Sequence, residues 1–161
     1  MGLLYCRKGG EIMRDIVMYF AIKYHGDFKK IYDALNVKEK VKKDDLKLCK
    51  VELKYKYFTL LDKNYPKFFR EGINPPIVMF YEGNVNLLNK DLPMEYAVMD
   101  DGTRMISTVN PFYRNGRLVF DYIVACENHD NVKELVEHIK SKGLNFKNYD
   151  ISKKDKQETI R

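Results

Sequence analysis

Two glycine-containing turns constrain the fold of this chain more than any other feature of its sequence. Asp101-Gly102 and Asn115-Gly116 each lie between runs rich in β-forming residues. Such dipeptides are strong hairpin signals because both of their residues accept positive φ angles. The runs beside the second turn, 107–113 and 118–125, have the length and alternation of strands. The sequence therefore predicts three successive strands in an antiparallel meander.

Helical patterns fill the first third of the chain and recur near its end. Apolar residues repeat at helical spacing over 13–24 and 28–35, and His-Gly-Asp at 25–27 ends one helix and caps the next. A third helix is predicted at about 44–56, and a C-terminal helix begins near 132 and stops at Gly143. The first two helices are expected to form a helical hairpin.

These patterns divide the chain into four parts. Residues 1–12 are expected to be an unstructured leader, because Gly9-Gly10 disfavours a helix and Met13 is a candidate natural start. A helical region at 13–56 precedes an α/β domain at 57–151, and 152–161 is a polar tail.

The segment 57–84 has the densest set of prolines, glycines and other turn-forming residues in the chain. A short strand at 58–61 is followed by turn formers, by Pro66 at the start of a short helix, and by an extended connector ending in Pro75-Pro76. Residues 77–81 are apolar on both faces, which is typical of a strand covered on two sides. No residue in this segment is a candidate nucleophile or metal ligand, and the segment contains no phosphate-binding loop.

This segment resembles the start of the main domain of the DprA (Smf) family of DNA-processing proteins. The resemblance covers about 13–90, and its signature residues, expected to be structural, are Leu61, Asp62, Tyr65, Pro66, Pro75, Pro76, Gly83 and Asn84. It implies a DprA-like helical region followed by a truncated, Rossmann-like sheet domain. We therefore predict an α/β fold with α+β character: a helical hairpin region, a small sheet domain with an antiparallel meander, and a C-terminal helix. The resemblance also implies that the protein binds single-stranded DNA and delivers it to a RecA-type recombinase.

In that family the DNA site is a Gly-Ser/Thr-Arg loop after a later strand. Gly102, Thr103 and Arg104 match this loop, but Asp100 and Asp101 would repel a phosphate and no helix follows. We favour a hairpin turn here over a phosphate loop.

The best local candidate for a nucleic-acid site is the second hairpin turn. Two aromatic residues and two arginines are predicted around it: Phe112, Tyr113, Arg114 and Arg117. Arg104 is expected one strand away, close enough to join them. Aromatic stacking with phosphate contact is how single strands are bound without sequence preference. The alternative is that the aromatic residues pack in the sheet while the arginines solubilise the turn.

Two other functions stay open. A protein-interaction module, possibly encoded by a mobile element, would dock on a recombination or defence protein and would show an exposed apolar patch or a homodimer through the meander edge. A small-nucleotide binder would need a phosphate cradle, which the sequence lacks.

Composition and the absence of several motifs further narrow the classes of protein to which this chain can belong. The net charge of +6 tolerates a polyanionic partner, and the three cysteines form no metal spacing with the three histidines. No secretion signal or membrane-length apolar run is present, so a cytoplasmic protein is expected. Phosphate-loop, metalloprotease and hydrolase motifs are absent. We predict no catalytic residues, no metal and no cofactor, and an enzyme is disfavoured.

Overall fold

The computed structural model describes residues 10–72 and 74–146. Within these ranges the helices are α1 (Gly10–Lys23), α2 (Phe28–Asn36), α3 (Lys43–Glu52), α4 (Lys67–Arg70) and α5 (Val132–Lys140). The strands are β1 (Lys56–Thr59), β2 (Val78–Gly83), β3 (Glu95–Val98), β4 (Arg104–Arg114) and β5 (Arg117–Cys126). Short 3-10 helices follow β2 at Val85–Asn89 and β5 at His129–Asn131. The predicted α+β character is confirmed.

The strands form one sheet in the order β1-β2-β5-β4-β3, and every neighbouring pair is antiparallel. The β3–β4–β5 meander is confirmed, and β2 lies beside β5 in a Greek-key arrangement. A Rossmann-like sheet is built from parallel strands, and among the described strands none are paired in parallel. The Rossmann-like part of the expectation is therefore not confirmed. One isolated parallel bridge joins Phe120 to Phe146.

Helices α1, α2 and α5 cover one face of the sheet. Phe80 and Tyr122 of the sheet are fully buried together with Phe20 of α1 and Val132 of α5. The turn between α1 and α2 approaches the sheet so closely that a Cβ on Gly26 would lie 2.4 Å from the Glu127 carbonyl oxygen. The predicted helical hairpin thus shares one core with the sheet.

The opposite face is covered by the β1–β2 connection and the 3-10 helix after β2. Its core consists of aromatic and aliphatic side chains from both layers: Phe58, Tyr65, Phe69, Met79, Leu87, Leu88, Ile106, Ile123 and Ala125. Apolar residues on both faces of β2 are buried, as its sequence predicted.

The start of α1 differs from the expectation, and the two ends of the chain lie outside the described residues. Helix α1 begins at Gly10, so residues 10–12 are helical rather than an unstructured leader. Glycine is tolerated there because it stands at the helix N-terminus, where the penalty it carries in a helix interior does not apply in full. Residues 1–9, the last residues of the predicted α/β domain at 147–151 and the tail 152–161 lie outside the described residues. Across the described residues, no helix has the combined length and hydropathy of a membrane span.

Candidate nucleic-acid interface at the hairpin tip

The predicted second turn forms the tip of the β4–β5 hairpin. Asn115 and Gly116 have φ angles of 53° and 77°, as a two-residue type I′ turn requires. Arg114 and Arg117 pair across the turn. Two arginines are therefore held side by side at the tip.

Strand alternation separates the two aromatic residues. Successive side chains of a strand point to opposite faces, and residues paired across strands share a face. Phe112 and Arg114 therefore lie on one face together with Arg117, whereas Tyr113 lies on the other face, paired with Leu118. The structure brings three of the predicted residues together, and Tyr113, which is 74% exposed, is not among them.

Arg114 is the least satisfied polar side chain of the tip. Its guanidinium carbon lies 5.9 Å from the centroid of the Phe112 ring. Its Nε and Nη2 atoms are buried, and no acceptor among the described residues bonds to them. Buried N–H groups without a partner cost about 1–3 kcal/mol, and more when the group is charged. The guanidinium therefore has unused hydrogen-bonding capacity that an anion can satisfy.

Arg104 does not join the tip. It lies at the opposite end of β4, ten positions before Arg114 in the strand, or about 33 Å at the usual rise of ~3.3 Å per residue. The expectation that Arg104 lies close enough to cooperate with the hairpin arginines was wrong. The strand that carries both residues is continuous over its whole length, which the sequence did not establish.

A buried ion pair holds Arg104 where it is. Its Nε and Nη2 atoms donate to the two carboxylate oxygens of Glu127, at 3.0 and 2.7 Å, and Nη1 donates to the Asn74 carbonyl at 2.7 Å. The Arg104 and Glu127 side chains are 18% and 4% exposed. The hydrogen bonds to Glu127 raise the pKa of Arg104 above its ordinary value. The arginine is thus saturated by protein groups.

The family-matched loop at Gly102 and Thr103 is the hairpin turn between β3 and β4, as its sequence favoured. Asp101 accepts hydrogen bonds from Thr103 and from the side chains of Asn128 and Asn131, both at 2.9 Å. Burial opposes ionisation of Asp101, but these hydrogen bonds outweigh it and hold its pKa below the ordinary value. The carboxylate ties this turn to the start of α5.

The first group of signature residues stabilises the β1–β2 connection. Asp62 accepts from Arg14 Nε at 2.9 Å and from the Thr59 backbone N–H at 3.0 Å. The buried Tyr65 hydroxyl donates to the Pro76 carbonyl at 2.7 Å. Pro66 is buried directly before α4, Pro75 is half-buried in the extended connector, and Leu61 is largely exposed in the turn.

The second group, Gly83 and Asn84, ends β2. Gly83 has a φ of 108°, and a Cβ there would lie 2.2 Å from the Tyr122 carbonyl oxygen. Asn84 Nδ2 donates to Asp121 at 2.8 Å while its Oδ1 accepts from the Asn86 N–H. These contacts fix the crossing of the chain from β2 towards β3.

Sequence reasoning missed an apolar groove beside α3. The groove has a volume of about 900 Å³ and is lined by residues of α1, α3 and the start of α5. Leu48 and Val51 on its wall are 57% and 76% exposed. These two residues lie off the half-buried stripe formed by Leu46 and Cys49, and that departure from amphipathic periodicity was the available signal.

Among the described residues, no group of three His, Cys, Asp or Glu side chains is arranged to hold a metal ion. The buried Cys126 thiol has a pKa raised by desolvation, which disfavours the reactive thiolate. Comparisons of the chain with protein-family models, with curated proteins and with solved structures find no match.

Proposed function

We propose that this is a DprA-like, non-enzymatic protein that binds single-stranded DNA through the tip of the β4–β5 hairpin. The observation that carries the proposal is Arg114, whose Nε and Nη2 atoms have no acceptor among the described residues. Arg114 contacts one phosphate after a rotation of its side chain, and the exposed Arg117 contacts the next. Phe112 offers its ring to a base. The proposed role in recombination is based on the sequence resemblance. The proposed Rossmann-like origin of the sheet domain has the same basis.

Two features support single-stranded over double-stranded DNA. Base stacking on an aromatic ring requires an unpaired base. The tip offers one ring and two arginines on one face, which suits a short stretch of backbone rather than a duplex groove. The net charge of +6 adds a general attraction to polyanions.

Titration of the full chain with labelled oligothymidine and with a duplex, at low and high salt, tests the proposal. We expect single-strand binding that weakens with salt. Replacing Arg114 with alanine should weaken it about tenfold, as the loss of one charged hydrogen-bonding partner predicts, and should reduce the log–log salt slope by about 0.7.

Lys63→Ala is the matched control, because it removes the same charge from an exposed turn at the other end of the sheet. It should leave the affinity and the salt slope nearly unchanged. Equal loss in the Lys63 and Arg114 variants would show a diffuse charge effect, and absence of single-strand binding would refute the proposal.

A second candidate function is docking on a RecA-type recombinase, favoured by exposed Leu48 and Val51 in the apolar groove. Interfaces are enriched in such exposed apolar patches. A Leu48→Lys, Val51→Lys double variant should weaken binding to a purified recombinase at least about tenfold while oligothymidine binding is retained. Unchanged recombinase binding would exclude the groove.

A further inference from the structure

The outer edge of β3 has unused backbone hydrogen-bonding groups. β3 ends the sheet, so only its inner side is paired within the described residues. The Met99 N–H donates to the Thr103 carbonyl at 2.7 Å, on the β4 side. Because backbone groups alternate along an antiparallel strand, Ala97 and Glu95 also point inwards while Tyr96 and Val98 point outwards. The edge therefore offers two N–H and two C=O groups to an added strand.

An exposed apolar surface lies beside these groups. Tyr96 and Val98 are 49% and 63% exposed and occupy the same face of β3. The Phe68 ring, also half-exposed, lies 6.2 Å from the Tyr96 ring, centroid to centroid. Free edges flanked by apolar side chains are the sites at which extended peptides add to sheets.

The charge around this edge selects the partner. From Asp91 to Thr103 the chain carries four carboxylates and no basic residue. Glu95 and Asp100 are exposed, and Lys142 is the basic residue that shares the hollow beside Glu95. An added strand that carries lysine or arginine opposite these acids gains cross-strand pairs worth about 0.2–1 kcal/mol each.

The same charges disfavour a second copy of β3. Antiparallel self-pairing must set one outward-pointing residue opposite another. A register centred on Tyr96 then brings Glu95 of one copy diagonal to Glu95 of the other, and the exposed Asp91 and Asp100 flank β3 in both copies. Like charges at such positions are destabilising.

We propose that the β3 edge binds an extended, basic peptide segment of a protein partner by strand addition. Apolar residues at alternate positions of the peptide pack on Tyr96, Val98 and Phe68, and basic residues between them face Glu95. This surface lies at the Arg104 end of β4, away from the hairpin tip, so the inference does not depend on DNA binding.

The test is binding of a fluorescein-labelled hexapeptide of alternating lysine and valine to the full chain, measured by anisotropy. We expect saturable binding that is at least about tenfold tighter than that of a glutamate–valine hexapeptide. Val98→Pro should weaken it about tenfold or more, because proline removes only an outward-pointing N–H and is tolerated on edge strands. Val37→Ala, at the exposed end of α2, is the control and should bind normally.

A charge-reversal variant guards against misfolding of the proline variant. Glu95→Lys with Asp100→Lys should reverse the preference in favour of the glutamate–valine peptide. Equal affinity for both peptides, or Val98→Pro binding as the wild-type chain does, would overturn the inference. So would a homodimer, seen by sedimentation, that Val98→Pro dissociates, because the occupant would then be a second copy.

Discussion

Individual residues of the hairpin tip show a tension between stability and binding. Arg114 keeps two nitrogen atoms, Nε and Nη2, buried without an acceptor among the described residues, whereas a core residue would satisfy them. Unsatisfied polar groups kept in this way are typical of sites where function outweighs stability. The tip is therefore the place where a stabilising substitution is expected to cost activity.

Arg114→Met tests this trade-off. Methionine retains an apolar stem but removes the guanidinium, and with it both the unpaired N–H groups and the contact with the Phe112 ring. We expect the free energy of unfolding to rise by about 1 kcal/mol while oligothymidine binding weakens about tenfold. Urea denaturation and anisotropy measure the two effects on the same preparation. A variant that loses stability together with binding would show that Arg114 has a structural role.

The Arg104–Glu127 pair has the opposite character. Its charged atoms are satisfied from both sides, so removal of one partner leaves a buried charge. Arg104→Ala should destabilise the protein by about 3–5 kcal/mol, whereas Arg104→Met with Glu127→Leu should cost considerably less. Urea denaturation of the two variants compares these losses of stability, and equal losses in both would contradict this account.

At the scale of elements, the turns were predictable and the strand order was not. Asn115-Gly116 and Asp101-Gly102 form their turns because the backbone angles those turns need are local properties of the dipeptides. The pairing of β2 with β5 joins residues 40 to 46 positions apart, such as Gly83 with Ile123 and Phe80 with Cys126, and depends on which apolar faces cover each other.

The candidate site also has a part that was predictable from local sequence and a part that was not. The cluster of Arg114 and Arg117 follows from the turn, and period-two alternation already contains the separation of Phe112 from Tyr113. The partner of Arg104 is Glu127, 23 positions along the chain. That contact depends on the β4–β5 register and on how far the two strands extend, which hydrophobic patterns define only loosely.

Gly83 allows the element-scale argument to be tested. A Cβ at Gly83 meets the Tyr122 carbonyl oxygen of the neighbouring strand at 2.2 Å, whereas a Cβ at Gly102 meets nothing within 4 Å. Both residues have positive φ angles. Gly83→Ala should therefore cost about 3 kcal/mol or more, from strain and overpacking, and Gly102→Ala about 1–2 kcal/mol, from strain alone. Equal costs in chemical denaturation would refute the close approach.

At the scale of the whole molecule, carboxylates join elements that lie far apart in sequence. Asp62 binds Arg14 of α1, and Asp101 accepts from Asn128 and Asn131 near α5. Glu39 binds Lys23 of α1 at 2.6 Å. Each contact connects a loop to a helix of another segment. The arrangement of the layers therefore depends on ionised acids as well as on the apolar core.

Protonation should weaken all of these connections together. Burial opposes ionisation of Asp62 and Asp101, but the hydrogen bonds they accept outweigh it, and the pKa of each lies below its ordinary value. The hydrogen bond from Lys23 likewise lowers the pKa of Glu39. A depressed folded-state pKa gives stability that is complete above the unfolded-state pKa, about 4, and is lost as the pH falls through the folded-state value.

We therefore expect the urea midpoint to be nearly constant from neutral pH to about pH 5 and to fall steeply below about pH 4. Asp101→Asn should lower the midpoint at neutral pH but reduce the drop on acidification, because one of the titrating groups has been removed. Asp44→Asn is the matched control, since Asp44 is exposed at the start of α3, and its acid-induced drop should match that of the unaltered chain. An acid-induced drop in Asp101→Asn as large as in the unaltered chain would show that this carboxylate does not tie the β3–β4 turn to α5.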